Sequence, residues 1–175
     1  MNYPLDPNEE MRLDALERLQ VAKLNADPAI DRVTAYGRER FQVPICLATL
    51  IEAQRQVLVS RQGIDVAETP RSLSFCTYAI LRPQVLVVPD ATADERFRDN
   101  PLVTGEPFIR FYAGAPLIYK EEIRLGALCL VDYTPREFSP AEQAELMSLA
   151  ECVVSIILAR AWSLPEPDLS AALSH

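Results

Sequence analysis

The sequence predicts an α+β domain built on an antiparallel sheet. Three observations carry this: two pairs of strand-like runs joined by short links, helical patterns ahead of the first pair, and a fully signed helix after the last. The 175 residues, 49% hydrophobic and 24% charged, suffice for one ordinary domain with a substantial core.

Residues 1–8 read as a flexible lead-in. Over 9–24, Met11, Leu13, Leu16, Leu19 and Leu24 recur among alternating charges, which predicts an amphipathic helix. Asp27-Pro28 pairs a cap with a proline at the first helical position, and a second helix follows through Ile30, Val33 and Phe41. VPICLATLIE (43–52) and RQVLVSRQG (55–63) are rich in branched residues and predict a strand pair. SFCTYAIL, from Ser74, fits helix or strand equally by period, and QVLVVPD (84–90) predicts a short buried strand stopped by proline. From Asp90 to Pro107 no period holds, and a connection this long in a compact domain serves as a binding loop or lid. FIRFYAGAPLIY (108–119) and EIRLGALCLVDY (122–133) predict a second hairpin, the latter strand covered on both faces. Ser139, Pro140 and Glu142 then sign a helix start with a capping box. That helix is apolar over more than one face, so its second face calls for another copy of the chain, a homodimer. SLPEPDLSAALSH (163–175) reads as a loose tail, leaving 9–162 as the domain.

Charge and cysteine usage exclude several functions. Against 25 acidic residues stand 17 basic ones, a net charge of −8 that repels nucleic acid and anionic membrane. The acidic N-terminus lacks a signal-peptide pattern, and CVVSIILARAW from Cys152 is too short to span a bilayer. A cytoplasmic protein is expected. Cys46, Cys76, Cys129 and Cys152 lie far apart, and the one histidine is His175, so no metal-site spacing occurs.

SRQGIDVAETPRSLSFC (60–76), VVPDATADERFRDNPLV (87–103), IRFYAGAPL (109–117) and LGALCLVDYTPREFS (125–139) resemble, in this order, the blocks of bacterial signalling GAF domains found ahead of histidine kinases and diguanylate cyclases. The resemblance implies a six-stranded antiparallel sheet with helices on one face and cover segments over a small-molecule pocket on the other. Tyr78 stands where relatives commonly carry histidine, Val57 where they carry an aromatic, and Lys120-Glu121-Glu122 fills a turn usually made through glycine. The cyclic-nucleotide signature of the family has no counterpart, and Cys76-Thr77 replaces the Cys-His of bilin-binding members. No output segment follows, so a signalling partner, a kinase or cyclase, is expected in trans.

On this reading the ligand-binding candidates are Cys76, Tyr78, Asp90, Phe97, Asn100, Arg110, Tyr112 and Cys129. Cys76 lacks a nearby histidine or adjacent cation to lower its pKa, which favours a buried structural thiol over a nucleophile. Alternation places Arg110, Tyr112 and Gly114 on one strand face, where Arg110 can hold an anion and Tyr112 can stack. Pairing of Arg110 with Asp94 or Asp99 is the preferred alternative. The switch from Phe111-Tyr112 to Ala113-Gly114-Ala115 leaves helix packing and a cavity wall equally open. Asp90 and Asp94 are expected to cap turns, Phe97 to plug the core, and Asn100-Pro101 to turn the chain. Asp132 and Arg136 are expected to pair. Together these point to a non-enzymatic sensor without a catalytic residue, whose ligand and cofactor the sequence leaves unnamed. Two rivals are a thiol redox enzyme of the free methionine-(R)-sulfoxide reductase type, which the resemblance suggests through Cys76, and a ligand-free dimerisation scaffold. Against the enzyme, 90–107 contains no second thiol to resolve an oxidised Cys76.

Overall fold

The structure, a computed structural model, describes residues 3–174, with the Ala22 side chain left out of the description. Six strands form one antiparallel sheet: β1 (Ile45–Ile51), β2 (Arg55–Gln62), β3 (Glu68–Pro70), β4 (Leu86–Val88), β5 (Phe111–Lys120) and β6 (Ile123–Asp132). Their spatial order is β3-β2-β1-β6-β5-β4, so β6 and β1 lie at the centre and the two three-residue strands form the edges. Short edge strands limit the unpaired backbone presented to other chains.

Helices α1 (Glu9–Arg18), α2 (Pro28–Phe41) and α5 (Pro140–Ala161) serve one face of the sheet. The other face is covered by two one-turn helices, α3 (Cys76–Ala79) and α4 (Pro101–Thr104), and the segments around them. Two cores result because alternate residues of each strand face opposite ways. Cys46, Ala48 and Leu50 of β1 point to the helices, whereas Ile45, Leu47 and Ile51 point to the cover.

Local chemistry explains the element ends. Asp27 accepts the backbone N–H groups of Ala29 (2.9 Å) and Ile30 (3.3 Å), capping α2 as its spacing predicts. Ser139 and Glu142 form the predicted capping box at the start of α5. The helix expected over 9–24 stops at Arg18, because Gln20 takes a left-handed backbone (φ 51°); a separate tight turn, Val21–Leu24, continues its apolar stripe.

The termini depart from expectation. Met1, Asn2 and His175 lie outside the described residues, but Asp6 within the supposed flexible lead-in is buried against Arg124. The tail folds back and buries Leu169, with Leu173 packed beside it. Together with α2 and the Val21–Leu24 turn, it joins the core that receives the wide apolar surface of α5. That surface is satisfied within one chain, so it does not by itself require a second copy. No helix among the described residues is long and apolar enough to cross a membrane.

One residue on β6 is dictated by close approach. Between Arg124 and Ala127 the strand bulges relative to β5, where Ile118 pairs with Arg124 and Pro116 with Ala127. Gly126 sits in this bulge, and a Cβ there would lie 1.8 Å from the Thr49 carbonyl oxygen. Gly126→Ala must spread the central β1–β6 pair, and a loss of about 1–3 kcal/mol is expected from overpacking. Urea unfolding measures it; an unchanged midpoint would show that the bulge has room to spare.

Candidate functional site

The layer between the cover and the sheet is assembled from α3, the Asp90–Thr104 connection and strands β1, β5 and β6. Each cover piece is fixed by its own polar side chains. Asp90 Oδ1 accepts from the Thr92 N–H (3.0 Å) and hydroxyl (2.6 Å), and these bonds hold its carboxyl below the usual carboxylate range. Asn100 Oδ1 accepts from the Leu102 N–H at 2.8 Å, capping α4, while its Nδ2 donates to the Leu73 carbonyl at 3.2 Å. Asn100 therefore ties the second cover piece to the first.

Between these pieces lies an aromatic stack. Phe97 is 1% exposed and lies parallel to Phe75, with ring centroids 4.2 Å apart and planes at 5°. Tyr78 meets Phe97 edge-on at 5.0 Å, and Phe75 leans on Tyr112 at 5.3 Å. Such pairs add roughly 0.5–1.5 kcal/mol each beyond their area. The predicted plug role of Phe97 is its observed one.

Beneath the stack lie the sulfurs. Tyr112 Oη donates to Cys76 Sγ at 3.0 Å. The phenol reaches that position by lying back over Gly114, whose added Cβ would fall 2.2 Å from Tyr112 Oη. This resolves the bulky-to-small switch of β5. Ala113 and Ala115 face the helix-side core, and Gly114 on the opposite face makes room for the phenol. Cys129 of β6, 1% exposed, pairs across the strands with Gly114. Burial works against a Cys76 thiolate, but the side-chain hydrogen-bonding groups of Cys129, Thr49, Tyr112 and Ser74 outweigh it and lower the thiol from its ordinary value. Cys129 moves well up, through its bond to Cys76 and through burial, and burial likewise raises the Tyr112 phenol. Ser74 donates to Gln56 Oε1 at 2.6 Å and Gln56 Nε2 to Thr69 at 3.1 Å, a buried polar chain that nothing in the sequence pattern marks.

Arg110 does not make the pair with Asp94 or Asp99 expected of it. Its Nη1 donates to the Val103 carbonyl at 2.9 Å and the Ile109 carbonyl at 3.0 Å, bracing the loop. Asp94 is taken instead by Arg96, at 3.0 Å to Nε and 2.7 Å to Nη2. The strand alternation projected back through Arg110 fails because β5 begins only at Phe111, and Arg110 and Phe111 both face Asp132, so the phase slips there. Ile109 therefore joins Tyr112 in the cover-side core. The Asp132–Arg136 pair forms as expected, at 3.8 Å.

Outside the stack, a cavity of about 540 Å³ opens between α3, the turn after it and β4, and Tyr78, Arg82, Gln84 and Arg96 contribute its polar lining. Its volume lies in the range of small-molecule sites. Tyr78 belongs to both sides: its ring touches Phe97 and lines the cavity. Of the eight predicted residues, Cys76, Phe97, Tyr112 and Cys129 share the interior layer and Tyr78 stands at its outer boundary. Asp90, Asn100 and Arg110 hold loops.

Comparison with known proteins agrees with this architecture. The GAF domain family model matches residues 25–157. A cyclic di-GMP phosphodiesterase of Pseudomonas aeruginosa is 42% identical over 162 residues, 93% of this chain, and the chain spans about a quarter of that relative's length (27%). Among solved structures, the GAF domain of a phosphoenolpyruvate-protein phosphotransferase from Coxiella burnetii superimposes with a TM-score of 0.63 at 20% identity, covering 87% of this chain and 97% of that one. The corresponding Acinetobacter domain gives 0.61 at 21%, with the same coverage. A type II free methionine-R-sulfoxide reductase from Thermoplasma acidophilum gives 0.60 at 16%, covering 83% and 94%. At these identities the solved structures share a fold with this chain, and with the family match they lead to one conclusion: the chain belongs to the GAF domain family.

Proposed function

We propose that the protein is a non-enzymatic, small-molecule-sensing GAF module of bacterial signal transduction, acting in the cytoplasm on a signalling enzyme of cyclic dinucleotide turnover. The observation that carries the reading is the joint position of Tyr78, packed on the Phe97 stack within and lining the 540 Å³ cavity without. A ligand seated in that cavity touches the cover layer directly, and a ligand shifts a conformational equilibrium only through such differential contact. Arg82 makes no hydrogen bond or ion pair among the described residues, so its charge is available to an anionic group beside the Tyr78 ring. The name of the Pseudomonas relative supports the signalling context. Homodimerisation belongs to the same proposal. Exposed Met11 and Trp162 lie near Tyr119, whose ring is 6.3 Å from that of Trp162, on a surface at the terminal helices that also carries Asp14, Arg18 and Lys120.

Native mass spectrometry of the protein as purified from cells tests both parts. A dimer carrying a bound small molecule is expected, with the bound species lost in Tyr78→Ala and Arg82→Ala. A bare monomer would remove the proposal, and retention of the molecule in both variants would move the site elsewhere.

A second reading, thiol redox chemistry, draws support from Cys129, which supplies beside Cys76 the second thiol that 90–107 lacks. Against it, both sulfurs are closed to solvent, and the groups that set either thiol's acidity include no cation, which reactive cysteines use. Reduction of free methionine sulfoxide that vanishes in Cys76→Ser would establish it.

A further inference from the structure

The first described residues are tied to the cover segment at two points: directly by the Glu9–Arg71 ion pair, and through Arg124 of β6, which pairs with Asp6 and hydrogen-bonds the cover. Asp6 Oδ2 meets Arg124 Nη2 at 3.1 Å. Arg124 in turn donates from Nε to the Ile80 carbonyl at 2.6 Å and from Nη2 to the Leu81 carbonyl at 3.3 Å, at the end of α3. At the other end, Glu9 binds the Arg71 guanidinium through both carboxylate oxygens. Arg71 opens the cover segment, where its carbonyl accepts the Ser74 N–H (3.0 Å) and the Thr77 hydroxyl (3.1 Å). The Tyr3 ring lies 5.1 Å from the same guanidinium. The cover segment from Arg71 to Leu81 is therefore gripped at both ends by arginines whose counter-charges sit on one short strap, Asp6–Glu9, and Glu9 is the first residue of α1.

We infer that this strap is a latch that reads the position of the cover segment and passes it to α1. The two arginines and Asp6 are nearly or fully buried, and separating either pair would strand a charge away from water. A shift of Phe75, Cys76 and Tyr78 therefore drags the strap, breaks the Glu9–Arg71 pair, or pulls the Ile80 and Leu81 carbonyls off Arg124 and leaves the Arg124 charge to Asp6 alone, so strap and cover share one equilibrium. This goes beyond ligand recognition, because the coupling is a property of the chain whatever occupies the cavity.

Native-state hydrogen exchange on the full chain tests the latch in both directions. Asp6→Asn removes the charge facing Arg124. The Ile80 and Leu81 amides, bonded to the Cys76 and Tyr78 carbonyls, should then exchange about tenfold faster relative to Leu128 in the central strand. In reverse, Phe97→Ala loosens the cover without altering a strap residue. The Glu9 and Arg12 amides, bonded to Asp6 and Asn8, should then accelerate by about the same factor. Tyr112→Phe, which removes only the hydrogen bond to Cys76, is a gentler cover variant and should move them in the same direction. Unchanged relative rates at Ile80 and Leu81 in Asp6→Asn, or at Glu9 and Arg12 in both cover variants, overturn the latch. The experiment uses no ligand, so its failure is separate from failure of the sensor reading.

Discussion

Glu9→Ala is expected to cost about 3–5 kcal/mol, the penalty for removing one partner of a buried ion pair. Arg12 and Arg71 are both 0% exposed and share this one carboxylate. Arg12 approaches it at 2.8 Å through Nη2 and at 3.0 Å through Nε. Arg71 Nε already lacks a hydrogen-bond partner, so the Arg71 charge leans on Glu9 and on the Glu52 carbonyl at 3.0 Å. Without the carboxylate, the two guanidiniums are left with the Ile51 and Glu52 carbonyls and, for Arg71, the face of the Tyr3 ring. Glu9 keeps 17% of its side chain exposed, so water offsets part of the loss and the lower end of the range applies. Denaturant unfolding at neutral pH measures it; a change below about 1 kcal/mol would class the triad with ordinary surface pairs.

The same carboxylate sets a pH dependence. Burial alone would raise the Glu9 carboxyl, but hydrogen bonds and charge from Arg12 and Arg71 lower it from 4.5 to about 2. A group whose folded value is depressed contributes its stability above the unfolded value and loses it as pH falls through the folded one. Wild-type stability should therefore decline between about pH 5 and pH 2 by an amount that Glu9→Gln, which cannot ionise, does not show. If the difference between the two proteins stays constant from pH 7 to pH 3, the carboxylate is not the charged partner described.

Elements whose signals are local are legible in the sequence. The capping residues of α2 and α5 act within three positions of themselves, and the branched runs of β1, β2, β5 and β6 announce strands within three residues of their bounds. The one-turn helix α3 is not legible, since four residues cannot display a helical period. In the site, Phe97 and Asn100 are recognisable because loop and turn chemistry is written in adjacent residues. The role of Arg110 is lost because the strand phase slips between Arg110 and Phe111, which both face Asp132. The latch is invisible for a different reason. Asp6 and Arg124 are 118 positions apart and Glu9 and Arg71 are 62 apart. A lone acid and a distant arginine carry no mutual signal until the fold brings them together.

Phe97→Ala should cost about 3–5 kcal/mol, because truncating a buried phenylalanine loses its transfer energy and leaves a void that the surroundings only partly fill. The void has defined walls: the face of Phe75 at 4.2 Å, the edge of Tyr78 at 5.0 Å, and Tyr112 behind Phe75. The Arg96 guanidinium, 5.2 Å from the Phe97 ring centre, adds one charged wall to the ring-lined ones. A small aromatic molecule that can stack on Phe75 and lie under that cation should enter the void. Benzene or indole should raise the melting temperature of Phe97→Ala and leave that of the wild type unchanged, since binding to the folded state alone stabilises it in proportion to occupancy. A large loss rescued by the aromatic means that Phe97 fills the layer between cover and sheet, so the proposed ligand would either displace its ring or act from the Tyr78 cavity outside. A loss under about 1 kcal/mol with no rescue would mean that the cover settles onto the sheet without Phe97. The two results separate a rigid lid, able to transmit force to Arg71 and Arg124, from a soft one that would absorb it.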